Sequence, residues 1–452
     1  MKPDSDTHGA LAAPRAEQGV QGASVVSASR SGAFRSLRIR NYRIWVAGAF
    51  VSNIGTWTQR TAQDWLVLTQ LTRENGTAVG VVMALQFGPQ LLLLPLTGLA
   101  ADHLDRRKLL FATQASMGAL ALALGLLTVF GAVQLWHVYV FALLLGCVSA
   151  FDAPARQTFV FELVGAADLS NAVSLNSTSF QAARLIGPAV AGVVIAAVGS
   201  GWLFILNAAS FAAVLGSLAL LRTGELHRSE RGALSRGSLR EGLLYVWHRP
   251  DLMVVLSMLF LVATFGLNFP IFIATMAVSV FHVGADQYGL LTSCMAVGSV
   301  TGALLSARRA QPRLSILLVG AAVFGVGCTL GALMPNYWLF GATLAVIGMA
   351  AQTFMTTANS TVQLSTEPTM RGRVMAIYLA IALGSTPIGA PIVGWVADAF
   401  GPRWALGIGA VAGISAALVG ASHRWRRRRR EGRLAADSRL SPLQARKAGT
   451  DG

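Results

Sequence analysis

Charged residues are scarce in this sequence: Asp, Glu, Lys and Arg make up 12% of its 452 residues, where a soluble globular protein carries about 25%. A water-facing surface of ordinary size is thereby excluded. Lysine is nearly missing, with Lys2, Lys108 and Lys447 the only three. The arginine excess, together with abundant Ala and Gly, fits a GC-rich bacterial genome. Cysteine is almost absent too. Cys147, Cys294 and Cys328 lie in separate apolar blocks, and an odd, dispersed trio makes neither a disulfide framework nor a metal site. The seven histidines show no ligand spacing, so no metal is expected. The net charge of +16 sits in short loops and at the two ends, not on a folded face interleaved with aromatics, so no nucleic-acid partner is expected either. No apolar stretch follows the first basic residues closely enough for a cleaved signal peptide.

Apolar sequence, by contrast, is plentiful: 54% of residues are hydrophobic and the mean hydropathy is +0.57. It is divided into blocks of about 20 residues, the length that crosses a bilayer as helix. Six blocks lie near 43–70, 77–100, 109–131, 135–156, 172–197 and 201–221, and six more near 251–281, 287–307, 313–334, 337–363, 373–398 and 402–423. The expected fold is an all-α integral membrane protein of twelve transmembrane helices in two pseudo-symmetric six-helix bundles. A weak internal repeat at a shift of about 204 residues supports the duplication. Gly98 with its charged loop matches Gly302 with Ser306–Arg309, and Gly187-Pro188 matches Ala390-Pro391. The expected boundaries are a disordered tail 1–40, a bundle 41–221, a linker 222–250, a bundle 251–424 and a basic tail 425–452.

Basic loops set the expected orientation. With the N-terminus inside, one set of loops holds Arg106, Arg107, Lys108, the linker arginines, Arg308, Arg309, Arg313, Arg371 and Arg373, while the other holds only Arg73 and Arg403. Both termini are therefore expected in the cytoplasm, with the arginine run after His423 against the anionic inner leaflet. Within the linker, Ser238 to Trp247 has helical amphipathic spacing and is expected to lie on the inner membrane surface, tethering the halves.

Polar stripes interrupt the apolar blocks. On the first expected crossing, Asn53, Trp57, Arg60 and Asp64 share one helical face. A charge at the bilayer centre costs on the order of 3 kcal/mol, so this face must look into protein or water. Arg60 and Asp64, four apart, can pair. Two readings stay open: a static salt bridge that holds the bundle together, or a carboxyl that titrates as its hydration changes. Ser177, Gln181, Arg184 and Pro188 form a second stripe, and Gln352, Thr356, Asn359 and Gln363 a third. Asn268 beside Phe269-Pro270 marks an expected helix break with freed carbonyls. Several such stripes point to a shared wet cavity, in which Arg184 would hold an anionic group or pair with Asp64.

Several of these stretches resemble the major facilitator superfamily, and within it the drug and siderophore exporter branch that includes enterobactin and macrolide exporters. The stretch GLAADHLDRRKLL, Gly98 to Leu110, is similar to the family's loop signature, with Gly98, Asp102, Arg106 and Arg107 matching and Asp105 where many members have glycine. WTQRTAQDWLV, FDAPARQTF, RLIGPAVAG and MRGRVMAIY add to the likeness, which runs from about residue 35 to 424. The resemblance implies that Asp102 caps the eleventh helix near Gly372, that Arg106 meets Asp152 beside Arg156, and that this cluster gates one side. Gly187, Pro188 and Gly192 resemble the family's antiporter signature, although its double glycine is missing and Ala183 replaces an expected glycine. These residues are expected to slide against Gly298 and Gly302 of the eighth helix, since small residues let backbones approach.

The resulting expectation is a secondary active transporter of a bacterial inner membrane, exporting a small amphipathic molecule in exchange for protons. Asp64 would carry the proton, with Arg60 tuning it. No catalytic residue and no cofactor is expected. The proton gradient is the energy source, because no ATP-binding loop of the P-loop type is present. The expected partners are a small-molecule substrate and the bilayer, and the chain is expected to be monomeric. Uptake symport is the rival direction. A membrane enzyme acting on lipid diphosphates lacks paired acids at one face, and a non-transporting sensor would not need the stripes.

Overall fold

The structure is a computed structural model, and it describes residues 34–93, 96–97, 104–227, 239–308 and 313–448. Among the described residues it is helical throughout. Ten helices among the described residues are long and apolar enough to cross a membrane: α3 Arg106–Val129, α4 Leu135–Gly165, α5 Ala167–Val198, α6 Ser200–Ala219, α7 Pro250–Val280, α8 Ala285–Ser306, α9 Leu314–Leu333, α10 Tyr337–Ser365, α11 Arg371–Phe400 and α12 Pro402–Arg427. Before them come α1 Arg40–Leu66, 27 residues long, and the shorter apolar α2 Gly76–Leu92. α1 is set apart by its polar stripe, which lowers its mean hydropathy, not by its length. With these two, the described elements are consistent with the twelve-crossing fold.

Helix starts are written locally. Asn75, Asp105 and Asn336 accept the backbone N–H of Ala78, Lys108 and Leu339 and so begin α2, α3 and α10. Pro250 begins α7, where its missing N–H leaves no bond unmade. Helices α4 and α5 are longer than the apolar blocks suggest and nearly continuous, broken only at Gly165. There φ is +69° and the His227 ring lies 3.0 Å from where a Cβ would sit. Polar residues at 157–171 keep helical periodicity beyond the hydrocarbon length, which hydropathy alone does not see.

The start of α1 and the linker helix lie at one end of the bundles, and the α1–α2, α3–α4, α5–α6, α7–α8, α9–α10 and α11–α12 turns at the other, the distal end. Trp136, Trp202, Trp338, Trp395 and Trp404 are all exposed near the distal end, as interfacial aromatic belts are. The two halves meet there along equivalent helices. α11 packs on α2, where Gly80 faces Ala390 and Pro391, and Gly394 faces Gly76 and Thr77. α5 packs on α8, where Gly289 faces Pro188 and Gly192, and Ser293 Oγ donates to the Leu185 carbonyl at 3.3 Å. The Gly-Pro and Ala-Pro pairs of the internal repeat thus occupy matching contacts between the halves.

The linker helix, Leu239–Trp247, is fastened to one half. Glu241 pairs with Arg373 of α11 at 2.7 Å, and Arg249 approaches both the Tyr245 hydroxyl and Glu367. The preceding turn, Thr223–Glu225, stays with the other half through reciprocal Asn41–Arg222 bonds at 3.0 Å and the His227 N–H on the Glu162 carbonyl. Arg35 pairs with Asp168, and Ser36 bonds to Asn171, pinning the segment before α1 to the α4–α5 bend.

Candidate functional site

α1 meets α5 closely because Gly187 has no side chain: a Cβ there would sit 2.5 Å from Trp57 Cβ. Thr58 Oγ1 donates to the Gly187 carbonyl at 3.2 Å, locking the same approach. On its other side α1 is held to α6 by the Asn207 amide, which donates to Gln59 at 2.5 Å. These two contacts fix the rotation of α1. Trp57, Arg60, Thr61 and Asp64 are thereby turned into a cavity of about 200 Å³ between the halves.

The cavity wall comes from both halves: Met83, Gln86 and Phe87 on α2, Arg184 and Pro188 on α5, Phe269 and Ile273 on α7, Tyr288, Thr292 and Met295 on α8, and Thr386 on α11. Arg60 lies over the rings of Trp57 and Phe87, 5.1 and 5.4 Å from their centroids, and Arg184 lies 5.6 Å from the same Trp57 ring. Cations gain from aromatic faces at this range. Both guanidiniums lie within 6 Å of one ring, so they also repel each other. Asp64 is 9% exposed and sits beside Tyr288, whose neighbour Trp65 stacks on it at 5.6 Å.

The static Arg60–Asp64 salt bridge, one of the two readings left open by the sequence, does not form. A helical side chain leans toward the N-terminus of its helix, so Arg60 reaches back to Trp57 and across to Phe87, leaving Asp64 within electrostatic reach but unbridged. Among the described residues, neither Arg60 nor Arg184 makes a hydrogen bond or ion pair, and the Arg60 Nε is sealed from solvent without a partner.

Of the other residues expected in a cavity, few line this one. Asn53 lies about 16 Å along α1 from Asp64, half-buried. Gln181 is half-buried one turn from Arg184. Asn268 sits at the break in α7, but its amide turns back to donate to the Thr264 carbonyl at 2.7 Å, satisfying one of the groups the break frees. On α10 the stripe bonds along itself, Gln352 to Thr356 at 3.2 Å and Gln363 to Asn359 at 3.0 Å. In place of α10, the wall uses α2, α8 and α11. Phe87, Gln86, Tyr288, Thr292 and Thr386 carried no sequence signal, since each is an isolated residue whose role depends on which helix lies opposite.

The end toward the termini differs from the distal end. Ser174, Ser177 and Thr178 on α5 and Gln363 on α10 are exposed there. Ser174 and Thr178 return their hydroxyls to the carbonyls one turn back at 2.9 Å, while close backbone contacts join the halves at the distal end.

The gating cluster is arranged differently from what the resemblance implies. Arg106 pairs with Glu162 at 2.6 Å, not with Asp152. Asp152 is buried and accepts from Thr113 at 2.8 Å, Gln114 at 2.6 Å and Arg156 at 2.9 Å. The cause is antiparallel register: advancing from Arg106 to Thr113 on α3 moves the partner from Glu162 back to Asp152 on α4. Arg107 donates to the Leu218 carbonyl at 2.8 Å and so caps α6 inside its own half. Gly98 and Asp102 lie outside the described residues. Gly298 and Gly302 face Ala345 and Met349 of α10, not α5. Nine residues along a helix is two and a half turns, so Gly298 faces away from Gly289, the residue that does meet α5.

One contact was missed altogether. Asp398, at the distal end of α11, accepts the backbone N–H groups of Gly76 at 2.6 Å and Thr77 at 2.8 Å, and the Thr77 hydroxyl at 2.5 Å. It thus joins the N-terminus of α2 to the opposite half. The repeat gave no signal for it: at the shift that pairs Pro188 with Pro391, Asp398 falls on Ile195.

A helical membrane protein whose two halves enclose a charged cavity is built as a secondary transporter of the major facilitator fold. Residues 31–446 match the family described as transmembrane secretion effector, and the chain belongs to that family. It is 26% identical over 364 residues to the staphyloferrin A transporter of Staphylococcus aureus, covering 79% of this chain and 90% of that one. It is 27% identical over 368 residues to the multidrug efflux pump Tap of Mycolicibacterium fortuitum, with 78% and 88% covered. Among solved structures, a bacterial homologue of the iron transporter ferroportin in the inward-facing state superimposes with a TM-score of 0.66 at 14% identity, covering 85% of this chain and 98% of that one.

Proposed function

We propose that this chain exports a small amphipathic molecule in exchange for protons across a bacterial plasma membrane, with both termini in the cytoplasm. The observation that carries the reading is Asp64: a buried carboxylate, bridged to no cation, in a cavity that both halves build. The tight distal contacts leave the cytoplasmic end as the side that admits substrate in this reading. Substrate enters there and meets a deprotonated Asp64. The halves then tilt, the α5–α8 and α2–α11 contacts part at the distal end, and substrate leaves as a proton enters. Asp64, neutralised, crosses back with its proton and loses it inside. Competition between proton and substrate for one cavity is what makes the exchange obligatory. The names of the relatives, a multidrug efflux pump and a siderophore transporter, support the cargo class. A single chain holds a complete cavity, which supports a monomer.

The test is Asp64→Asn in everted vesicles energised with an acidic interior, with proton movement followed by a pH-sensitive dye as a panel of dyes and antibiotics is added. Substrate-evoked proton release should vanish while substrate binding persists. Undiminished exchange would remove Asp64 from the mechanism, and a proton movement of opposite sign would make the chain an uptake symporter.

A further inference from the structure

We infer that the cavity selects an anionic amphiphile, a molecule with an apolar, preferably aromatic body and a single carboxylate-like oxyanion, held by Arg60 and Arg184 around Trp57. The inference rests on the transport reading only in taking this cavity as the substrate site.

Three observations carry it. The first is the donor surplus. A guanidinium has five N–H donors, and among the described residues neither Arg60 nor Arg184 spends any on a protein acceptor. Such donors shut inside a membrane protein need an acceptor, and an oxyanion takes two at once in fork geometry. The second is charge. The lining contains two cations and one acid, so it stays positive with Asp64 ionised and becomes more so when Asp64 is protonated. A cationic ligand meets net repulsion in both states. The third is the aromatic surface. The Trp57 and Phe87 rings, which would otherwise attract a cationic ligand, already lie against the two guanidiniums. What remains for the ligand body is apolar: Met83, Ile273, Met295 and the Phe269 ring. At about 200 Å³ the space suits a two-ring aromatic acid.

The experiment uses the full chain in lipid nanodiscs and tritiated 1-naphthoate in a scintillation proximity assay. The competitors are unlabelled 1-naphthoate, 1-naphthamide and 1-naphthylmethylamine, which share one ring system and differ in charge. Naphthoate should compete at least about tenfold better than either of the others. Arg184→Gln should weaken binding by about tenfold or more, with partial rescue in Arg184→Lys. Equal or better competition by the amine or amide would overturn the inference, as would unchanged affinity in both Arg60→Gln and Arg184→Gln, or no saturable naphthoate binding. An amine-selective chain that still exchanges protons through Asp64 would sink the anion inference and leave the export reading standing. Naphthoate selectivity with exchange indifferent to Asp64→Asn would do the reverse.

Discussion

Removal of the Asp398 carboxylate should unlatch the distal end. In the structure this exposed side chain crosses from α11 to the first turn of α2 and accepts three hydrogen bonds from Gly76 and Thr77, between 2.5 and 2.8 Å. Losing a capping acceptor costs about 1 kcal/mol, and losing a negative charge at a helix N-terminus adds about 0.3–1 kcal/mol. Because the site is exposed, water replaces part of what is lost, and the figures for buried pairs do not apply. A total of about 1–2 kcal/mol corresponds to a 5- to 30-fold change in an equilibrium ratio. Asn75 still accepts from Ala78 at 2.8 Å, so α2 keeps its own cap and the loss falls on the contact between the halves. Asp398→Ala should therefore shift the closed-to-open ratio of the distal end by about 5- to 30-fold toward open. Asp398→Asn, which keeps acceptors without the charge, should shift it less. Spin labels at Arg73→Cys and Arg403→Cys, both exposed distal positions on opposite halves, would read the change as a longer-distance population by double electron–electron resonance. The background would have Cys147, Cys294 and Cys328 replaced. An unchanged distance distribution in Asp398→Ala would refute the latch.

Gly192→Val should push α5 and α8 apart, since a Cβ there would lie 2.8 Å from the Ala285 carbonyl and 3.0 Å from Asp286 Cα; the same resonance measurement should show distal opening, and transport should fall by about tenfold if closure is required in each cycle. Arg106→Ala leaves the half-buried Glu162 carboxylate without its partner and should destabilise the chain by about 1–3 kcal/mol. Glu162→Gln should cost less, and equal melting temperatures for wild type and Arg106→Ala would contradict the pairing. Gly165→Ala forces a side chain into a backbone at φ +69° with the His227 ring 3.0 Å away, so a loss of about 1–2 kcal/mol is expected, readable as a lowered melting temperature.

Much of the fold is legible in the chain itself. Blocks of apolar residues long enough to cross hydrocarbon must be helices, since every backbone group needs a partner there. Their polar stripes must then turn away from lipid. Trp57, Arg60, Asp64 and Arg184 could therefore be assigned to an interior before any coordinates, and all four line the cavity. Asn268 at its break and Pro188 and Gly192 at the contact between halves were likewise marked by local chemistry.

Tertiary structure alone decided which stripes share a space. Helical periodicity fixes the face a residue occupies but not the helix opposite, nor the register between neighbours. Gln352, Thr356 and Asn359 share a face yet bond along α10, and Arg106 meets Glu162 because α3 and α4 run antiparallel with an offset the sequence does not encode locally. Asp398 looks like an ordinary helix-end acid until α2 is brought against it. Faces follow from the 3.6-residue turn and the hydrophobicity of lipid, which act within one segment. Partners follow from close packing of glycines such as Gly187 and Gly289 against distant backbone, which exists only once all the helices have met.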